Sequence, residues 1–398
     1  MAKGKGGFIG QDGLNAPDSP TGVSGTAGDA QVDVSFTSPS DVGGSAITEY
    51  LVADSTKAHT ATGSSSPITV TGLTNDTAYT FNVWAINAFG WSVASDASGS
   101  VTPIQNTRAF YAGGYTTAIQ NQIAYFNMAS SGENAQDFGD LTLGRFYFGC
   151  ASSSTRAIWC GGQSGNGTAY NNLDYITIAS TGNATDFGDI SAGAHKSGSG
   201  CSNSTRAVWT LGRNSSNVGT NTIHYSTIAS TGNTTDFGDY TAGITNVSAS
   251  FASPTRGCMT RGDQGNELQY VTIASTGNTT DFGDLPNGAM SGAAGCSSNI
   301  RGLIAGGAST FHDICYFTIA STGNATDFGD FAETEKNGLA AASNNTSAVF
   351  MGGNTTGGRS NRIDRVTIAT TGNVSDFGDL VQAIYGISGS SDSHGGLQ

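Results

Sequence analysis

STGNATDFGD, residues 180–189, decides how this chain is read. Its Asp-Phe-Gly-Asp core recurs with the phenylalanine at Phe138, Phe187, Phe237, Phe282, Phe328 and Phe377, at spacings of 49, 50, 45, 46 and 49 residues. A motif met once can be a site, but one met six times at a near-constant period is architecture. Around it each unit has four parts. The first unit with every part visible reads FGCAS (148–152), TRAIWCGG (155–162), LDYITIA (173–179) and DFGDI (186–190). Each part is a short apolar run between turn residues, so each is expected to be a strand.

The second part recurs near residues 107, 155, 205, 255, 300 and 347, and the third at Tyr125, Tyr175, Tyr225, Tyr270, Tyr316 and Arg365. The first part is missing before Thr107, and YGISGS (385–390) appears after the last Asp-Phe-Gly-Asp. The C-terminal segment is therefore expected to supply the first strand of the unit begun by Thr107. First strands such as SGSGCS (197–202) are poor in large side chains, as strands converging on an axis would be. Thr181-Gly182-Asn183 is a turn signal. Phe187 should fill the gap between neighbouring units, with Asp186 and Asp189 accepting from local amides and Gly188 allowing a conformation denied to larger residues.

Asp-Phe-Gly is also the magnesium-holding triplet of protein kinases, but no glycine-rich loop, strand lysine or His-Arg-Asp loop accompanies it. Calcium is the alternative for these carboxylates, although their spacing fits neither an EF-hand nor a glycine-rich calcium roll. Four strands in under 50 residues is the size of a propeller blade. Double glycines end the second part at 113–114, 161–162, 306–307 and 352–353. This pattern, with an aromatic in the third part and Arg145 ahead of a first strand, resembles a kelch repeat over about residues 107–395. It departs from that pattern at Leu211-Gly212 and Arg261-Gly262, and in having phenylalanine where the fourth strand has tryptophan. The resemblance implies a six-bladed β-propeller closed by the C-terminal strand.

Upstream, QVDVSF (31–36), ITEYLV (47–52), ITVTGL (68–73) and AYTFNVWAI (78–86) alternate with period two. That is the signature of an antiparallel sandwich. The prolines at 17 and 20, the Gly72-Leu73 pair and a tyrosine-corner residue at Tyr79 resemble a fibronectin type III domain, with Phe36 where that family usually has tryptophan. The expected organisation is all-β. Residues 1–17 form a glycine-rich anchoring arm with Phe8, Ile9 and Leu14 as its apolar contacts. Residues 18–104 form a fibronectin type III-like sandwich, and residues 105–398 the propeller.

Only 12% of the 398 residues are charged, and the formal net charge is −14. No basic stripe suits a nucleic acid. No window reaches 18 apolar residues, so no membrane insertion is expected. Cys150, Cys201 and Cys296 occupy nearly equivalent places in three units, which suits buried small hydrophobes rather than a disulfide framework or zinc site. The histidines fall at unlike positions in their units. No cofactor is expected, and no singular carboxylate pair marks a glycosidase. The start of the chain lacks an apolar leader core, so the protein is expected either to stay in the cell that makes it or to leave by another route, such as lysis. The Asn-X-Thr/Ser sites are then turn residues. Arg261-Gly262-Asp263 is a chance tripeptide in place of the local double glycine.

The runs between the second and third parts measure 11, 13, 13, 8, 9 and 12 residues to the third-part marker and absorb nearly all the length differences. A constant scaffold with variable loops on one face is how binding proteins are built. The ligand-facing candidates are Tyr115, Gln120, Gln163, Asn166, Tyr170, Arg213, Asn214, Asp263, Phe311, Asn354 and Arg359. The glycine-rich start KGGFIGQDGLNAP (5–17), running straight into a fibronectin-like module, and the repeated TIASTGNATDFGD blocks resemble structural proteins of tailed bacteriophages of the marine cyanobacterial type. That resemblance implies a non-enzymatic virion protein present in several copies. The arm would bind other virion proteins, and the chain would be a tail, baseplate or fibre-associated adhesion module. Its ligand would be a host polysaccharide or receptor, and the acidic net charge argues against unaided docking to an acidic envelope, favouring neutral sugars, a protein receptor or bridging cations. The protein would then be made in the host cytoplasm and released by lysis. A capsid decoration protein and a glycan-active propeller enzyme are the alternatives.

Overall fold

The computed structural model describes residues 15–28, 30–75, 77–103, 107–129, 132–244, 248–262, 265–286, 288, 290–307, 313–333 and 335–397. The arm contacts expected at Phe8, Ile9 and Leu14 lie outside the described residues. The chain divides into two compact units that part after residue 106.

The first unit is a sandwich of a three-stranded and a four-stranded sheet. Its core follows directly from the alternation. Val32, Val34 and Phe36 of Gln31–Thr37 face Phe81, Val83 and Ala85 of Phe81–Asn87, and all six are buried. Burying each large apolar side chain contributes about 1.5–3 kcal/mol. The Tyr79 hydroxyl accepts a hydrogen bond from the Thr74 amide at 3.0 Å, fixing the corner from which the next strand starts.

Among the described residues the second unit contains two short two-stranded ladders and six four-stranded antiparallel sheets. Five are sequential, such as Gly149–Ser152, Arg156–Cys160, Asn172–Thr177 and Thr185–Asp189. The remaining sheet joins Arg108–Ala112, Gln122–Asn127 and Gln136–Asp140 to Ser388–Ser391, with Ser391 opposite Ala109 and Ser388 opposite Ala112. The first strand of each sheet touches that of the next, and Ser388–Ser391 touches those on both sides of it. Small residues are obligatory there. A Cβ at Gly200 would stand 2.4 Å from the Trp209 ring and 2.7 Å from the Cys150 carbonyl oxygen. Serine hydroxyls knit these strands at one end: Ser202 donates to Ser152 O (2.7 Å), Ser343 to Ser297 O (2.7 Å) and Ser152 to Ser391 O (2.6 Å).

The repeated tetrapeptide is the joint between sheets. Phe187 is the extra residue of a β-bulge, since Leu173 faces Gly188 and Asp174 faces Asp186. The bulge bends the fourth strand, buries the Phe187 ring against Ile190, Ala207 and Ile228, and offers the strand's outer edge to the next sheet's turn. There Gly232 N–H donates to Phe187 O (2.7 Å) and Thr234 N–H to Asp189 O (2.9 Å), while Asp189 N–H donates to Asn233 Oδ1 (2.9 Å). The Asp N–H to Asn Oδ1 bond recurs at all six joints at 2.9–3.1 Å, the last pairing Asp379 with Asn134. The aspartates were expected to act as carboxylate acceptors; here the amide of Asp189 is a donor and the asparagine carbonyl the acceptor.

A second clamp runs alongside. The Arg156 guanidinium lies 4.8 Å from the centre of the Tyr175 ring and reaches Ile228 O and Ala229 O of the next sheet at 3.1 and 2.9 Å. In the sixth sheet the arginine has moved to the third strand: Arg365 replaces the tyrosine and donates to Ser347 Oγ at 2.8 Å. The odd member of the third-part series thus keeps a cation at the joint.

The expectation of a six-bladed kelch-like propeller is corrected by this geometry. Among the described residues no sheet closes on itself into a barrel, and each ladder ends at its own bulged fourth strand, whose edge meets a turn and not another strand. The architecture is a sandwich followed by six separately hydrogen-bonded four-stranded sheets. All six cysteines are free and buried; burial pushes the thiols up, that of Cys160 to about 12.

Candidate functional site

In an antiparallel sheet of this order the second-to-third-strand loops lie at the same end as the connections that lead to the next sheet. The hydrogen bonds place them together. Gly114 N–H donates to Arg145 O (2.8 Å), Tyr115 N–H to Tyr385 O (2.8 Å) and Gln163 N–H to Phe146 O (3.0 Å). We call this the apical end.

Its framework is polar and buried. Arg145 is fully enclosed; its Nη2 meets Asp174 Oδ2 at 2.7 Å and its Nη1 donates to Asn172 O at 3.2 Å. Asp174 also accepts from the Thr142 hydroxyl at 2.7 Å and from its amide at 3.1 Å. Burial pulls the Arg145 guanidinium below its ordinary range, and Asp174 opposes that shift. The equivalent of Asp174 is Asp364 in the sixth sheet, where it pairs with the enclosed Lys336 and with Arg362. In the third sheet it is His224, whose Nδ1 lies 2.7 Å from Thr234 Oγ1, with burial lowering the imidazole. One register position thus carries Asp174, His224, Gln269 and Asp364, each bonded to a neighbouring connection or turn.

On this framework sits an aromatic cluster. The Tyr115 ring centre lies 5.9 Å from Phe146 and 5.8 Å from Tyr385, and Tyr147 lies 4.8 Å from Phe146 and 6.2 Å from Tyr385. Arg359 covers both Tyr115 (5.4 Å) and Tyr385 (5.7 Å). A two-stranded hairpin presents it, Asn354–Thr355 against Gly358–Arg359, held down by Asn354 N–H on Asn337 O at 2.7 Å. Tyr147 has φ +54°, a left-handed conformation that costs a bulky residue on the order of 1 kcal/mol or more. Its amide donates to Gly386 O and its carbonyl accepts from Ser197 N–H, both at 2.9 Å, which holds the ring over the cluster. Burial and the neighbouring Tyr385 push its phenol up to about 12.

Of the sequence candidates, Tyr115 and Arg359 meet, and Asn354 supports them. The other described candidates bond within their loops or to the neighbouring connections and stand outside the cluster of rings. Gln120 folds back on Thr116 Oγ1 and Ala118 O, both at 3.0 Å. Asn166 accepts from Thr168 Oγ1 at 3.0 Å, and Asn214 from the amides of Ser216 and Val218 at 3.0 Å, so both are turn residues. Gln163 bridges to Phe146, Tyr170 to His195, and Arg213 pairs in a short ladder with Lys196. Asp263 and Phe311 lie outside the described residues. Sequence reasoning missed Phe146, Tyr147 and Tyr385, which stand on the connections between units. The signal was present in RFYF (145–148) and IYGI (384–387), aromatic runs at the threshold of first strands otherwise made of small residues.

Among the described residues no group of three or more His, Cys, Asp or Glu could hold a metal, and no helix is long and apolar enough to cross a membrane. The arrangement offers ring faces, phenolic hydroxyls and one guanidinium, which is a surface for holding a ligand.

Residues 18–100 match the family model of the fibronectin type III domain. A crystal structure of titin domains is similar at 31% identity, with a TM-score of 0.21, over 23% of this chain and 33% of the titin one. The chain therefore spans a third of the titin fragment it matches. No curated protein matches it. The family match ends at residue 100 and does not reach the six sheets. The kelch-like, propeller and tail-fibre descriptions drawn from the repeats accordingly give way to a fibronectin type III-like region followed by the sheets described above.

Proposed function

We propose that the protein is a non-enzymatic structural component of a virion that holds a host-surface saccharide at the apical end of its second unit. The observation that carries the binding role is the convergence of Tyr115, Tyr147 and Tyr385 with Arg359 on loops braced by buried ion pairs. Aromatic faces beside free hydroxyls suit sugar rings, which pair an apolar face with a polar rim. The Tyr115, Tyr147 and Tyr385 hydroxyls make no hydrogen bond within the described residues. Asp174 and Asp364 are committed to ion pairs, which supports holding over hydrolysis. The virion setting rests on the glycine-rich start and the repeated blocks. In it the arm anchors to other virion proteins, and several copies add weak sites into useful avidity.

The test is retention of full-length protein, displayed multivalently, on a panel of bacterial surface polysaccharides. Binding that weakens about tenfold in Tyr385→Ala, equivalent to about 1.4 kcal/mol, is the expected result. Absence of binding to every polysaccharide, or equal binding by the variant, overturns the reading. Labelled antibody on intact particles distinguishes host attachment from capsid decoration by where it lands.

A further inference from the structure

Arg359 has an unusual electrostatic setting. The chain carries a formal charge of −14, yet the four segments that build the cluster, residues 113–121, 141–148, 352–361 and 380–387, contain no Asp or Glu. Their two charged residues are Arg145 and Arg359. Arg145 is enclosed and spent on Asp174, so Arg359 is the single exposed charge on these segments. Its guanidinium is covered by the two tyrosine rings and has no carboxylate partner among the described residues. Stacking occupies the face of a guanidinium and leaves its in-plane N–H donors open at the edge. Those donors match a carboxylate in a two-bond fork.

We infer that the saccharide held at this end is acidic, with a uronate-type carboxylate bound at the edge of Arg359 and its ring against the tyrosines. The inference rests on the saccharide reading given above and refines it. It also departs from the expectation from net charge, because the segments that carry the cluster present Arg359 and no carboxylate of their own. A lysine at this position would keep the charge but lose both the fork and the flat stack.

The probes are polygalacturonate, alginate and hyaluronan, each beside its carboxyl-reduced form, titrated into the full-length protein and into Arg359→Gln, Arg359→Lys and Tyr385→Ala. Expected is at least tenfold tighter binding of one acidic polymer than of its reduced form. Arg359→Gln should lose that preference, Arg359→Lys should keep part of it, and added salt should weaken it. Arg359 is exposed, so its two variants should melt with the parent, and the melting curve verifies this. Equal binding of acidic and reduced polymers, or a preference that survives Arg359→Gln, overturns the acidic assignment and leaves saccharide binding standing. If neither form of any polymer binds, and the wider polysaccharide panel also fails, both readings fall.

Discussion

Gly188 shows how much one residue of the repeat carries. Its φ is +147°, and a Cβ there would stand 2.4 Å from Gly232 O in the next sheet. Gly188→Ala should therefore cost about 1–3 kcal/mol in urea unfolding, whereas alanine at Gly182, where nothing lies within 4 Å, meets only the strain of its own φ of +156°. Asp174 is the complementary case. Asp174→Asn would leave Arg145 enclosed without its counter-charge, and a loss of about 3–5 kcal/mol is expected from the same measurement. A pairwise replacement of Arg145 and Asp174 by apolar residues of similar size should cost much less, which separates the price of a broken pair from the worth of an intact one. The two buried tryptophans make a natural comparison: Trp209 Nε1 donates to Ser226 Oγ at 3.1 Å, while Trp159 Nε1 has no partner among the described residues. At this scale the sequence told which residues form the joint but not how. Repetition singles out Asp, Phe and Gly, whereas the Asn acceptor lies across a sheet boundary some 40 residues on, where local pattern carries no information.

At the scale of the element, the strand Ser388–Ser391 is the informative piece. It covers the edge of Arg108–Ala112, and Ser391 hydroxyl donates to Ser343 O of the neighbouring first strand. Deleting residues 383–398 would uncover a paired edge and one side of the serine network. The truncated protein should aggregate or melt well below the parent, and an unchanged melting curve would refute the role assigned to this strand. Strand positions were legible because short apolar runs alternate with Gly, Asn and Ser turns at a fixed period. The apical cluster was only half legible. Length variation pointed to the loops carrying Tyr115 and Arg359, but the connections carrying Tyr147 and Tyr385 keep constant length, so a search for variability passed over them. The family reading built on the double glycines went further than the repeats allow, since a glycine pair specifies a turn and not the way sheets assemble.

For the whole molecule, acid is the simplest perturbation. His394 reaches in among the first strands, its Nε2 donating to Ser152 O at 3.0 Å and its Nδ1 accepting from Gly396 N–H at 3.1 Å. Burial pulls its imidazole down to about 4 from an ordinary value near 6.5. A neutral folded histidine that charges more readily when unfolded gives full stability above about pH 6.5 and loses it as pH falls toward 4, by up to about 3 kcal/mol. His195 and His224 are lowered by burial as well and act in the same sense. Melting curves from pH 8 to 4 should therefore fall on the acid side, and His394→Gln should flatten part of that slope. The strand Arg108–Ala112 has a further consequence, a mechanical one. The chain enters the second unit at its start, and the apical loop begins where it ends, so a load between a ligand at Tyr115 and a tether at Thr107 runs along its length. Both of its edges are laddered, to Gln122–Asn127 and to Ser388–Ser391, and ladder bonds lie across the strand direction. Such a pull strains the bonds of both ladders together, so the strand should resist load along its length as one cooperative unit.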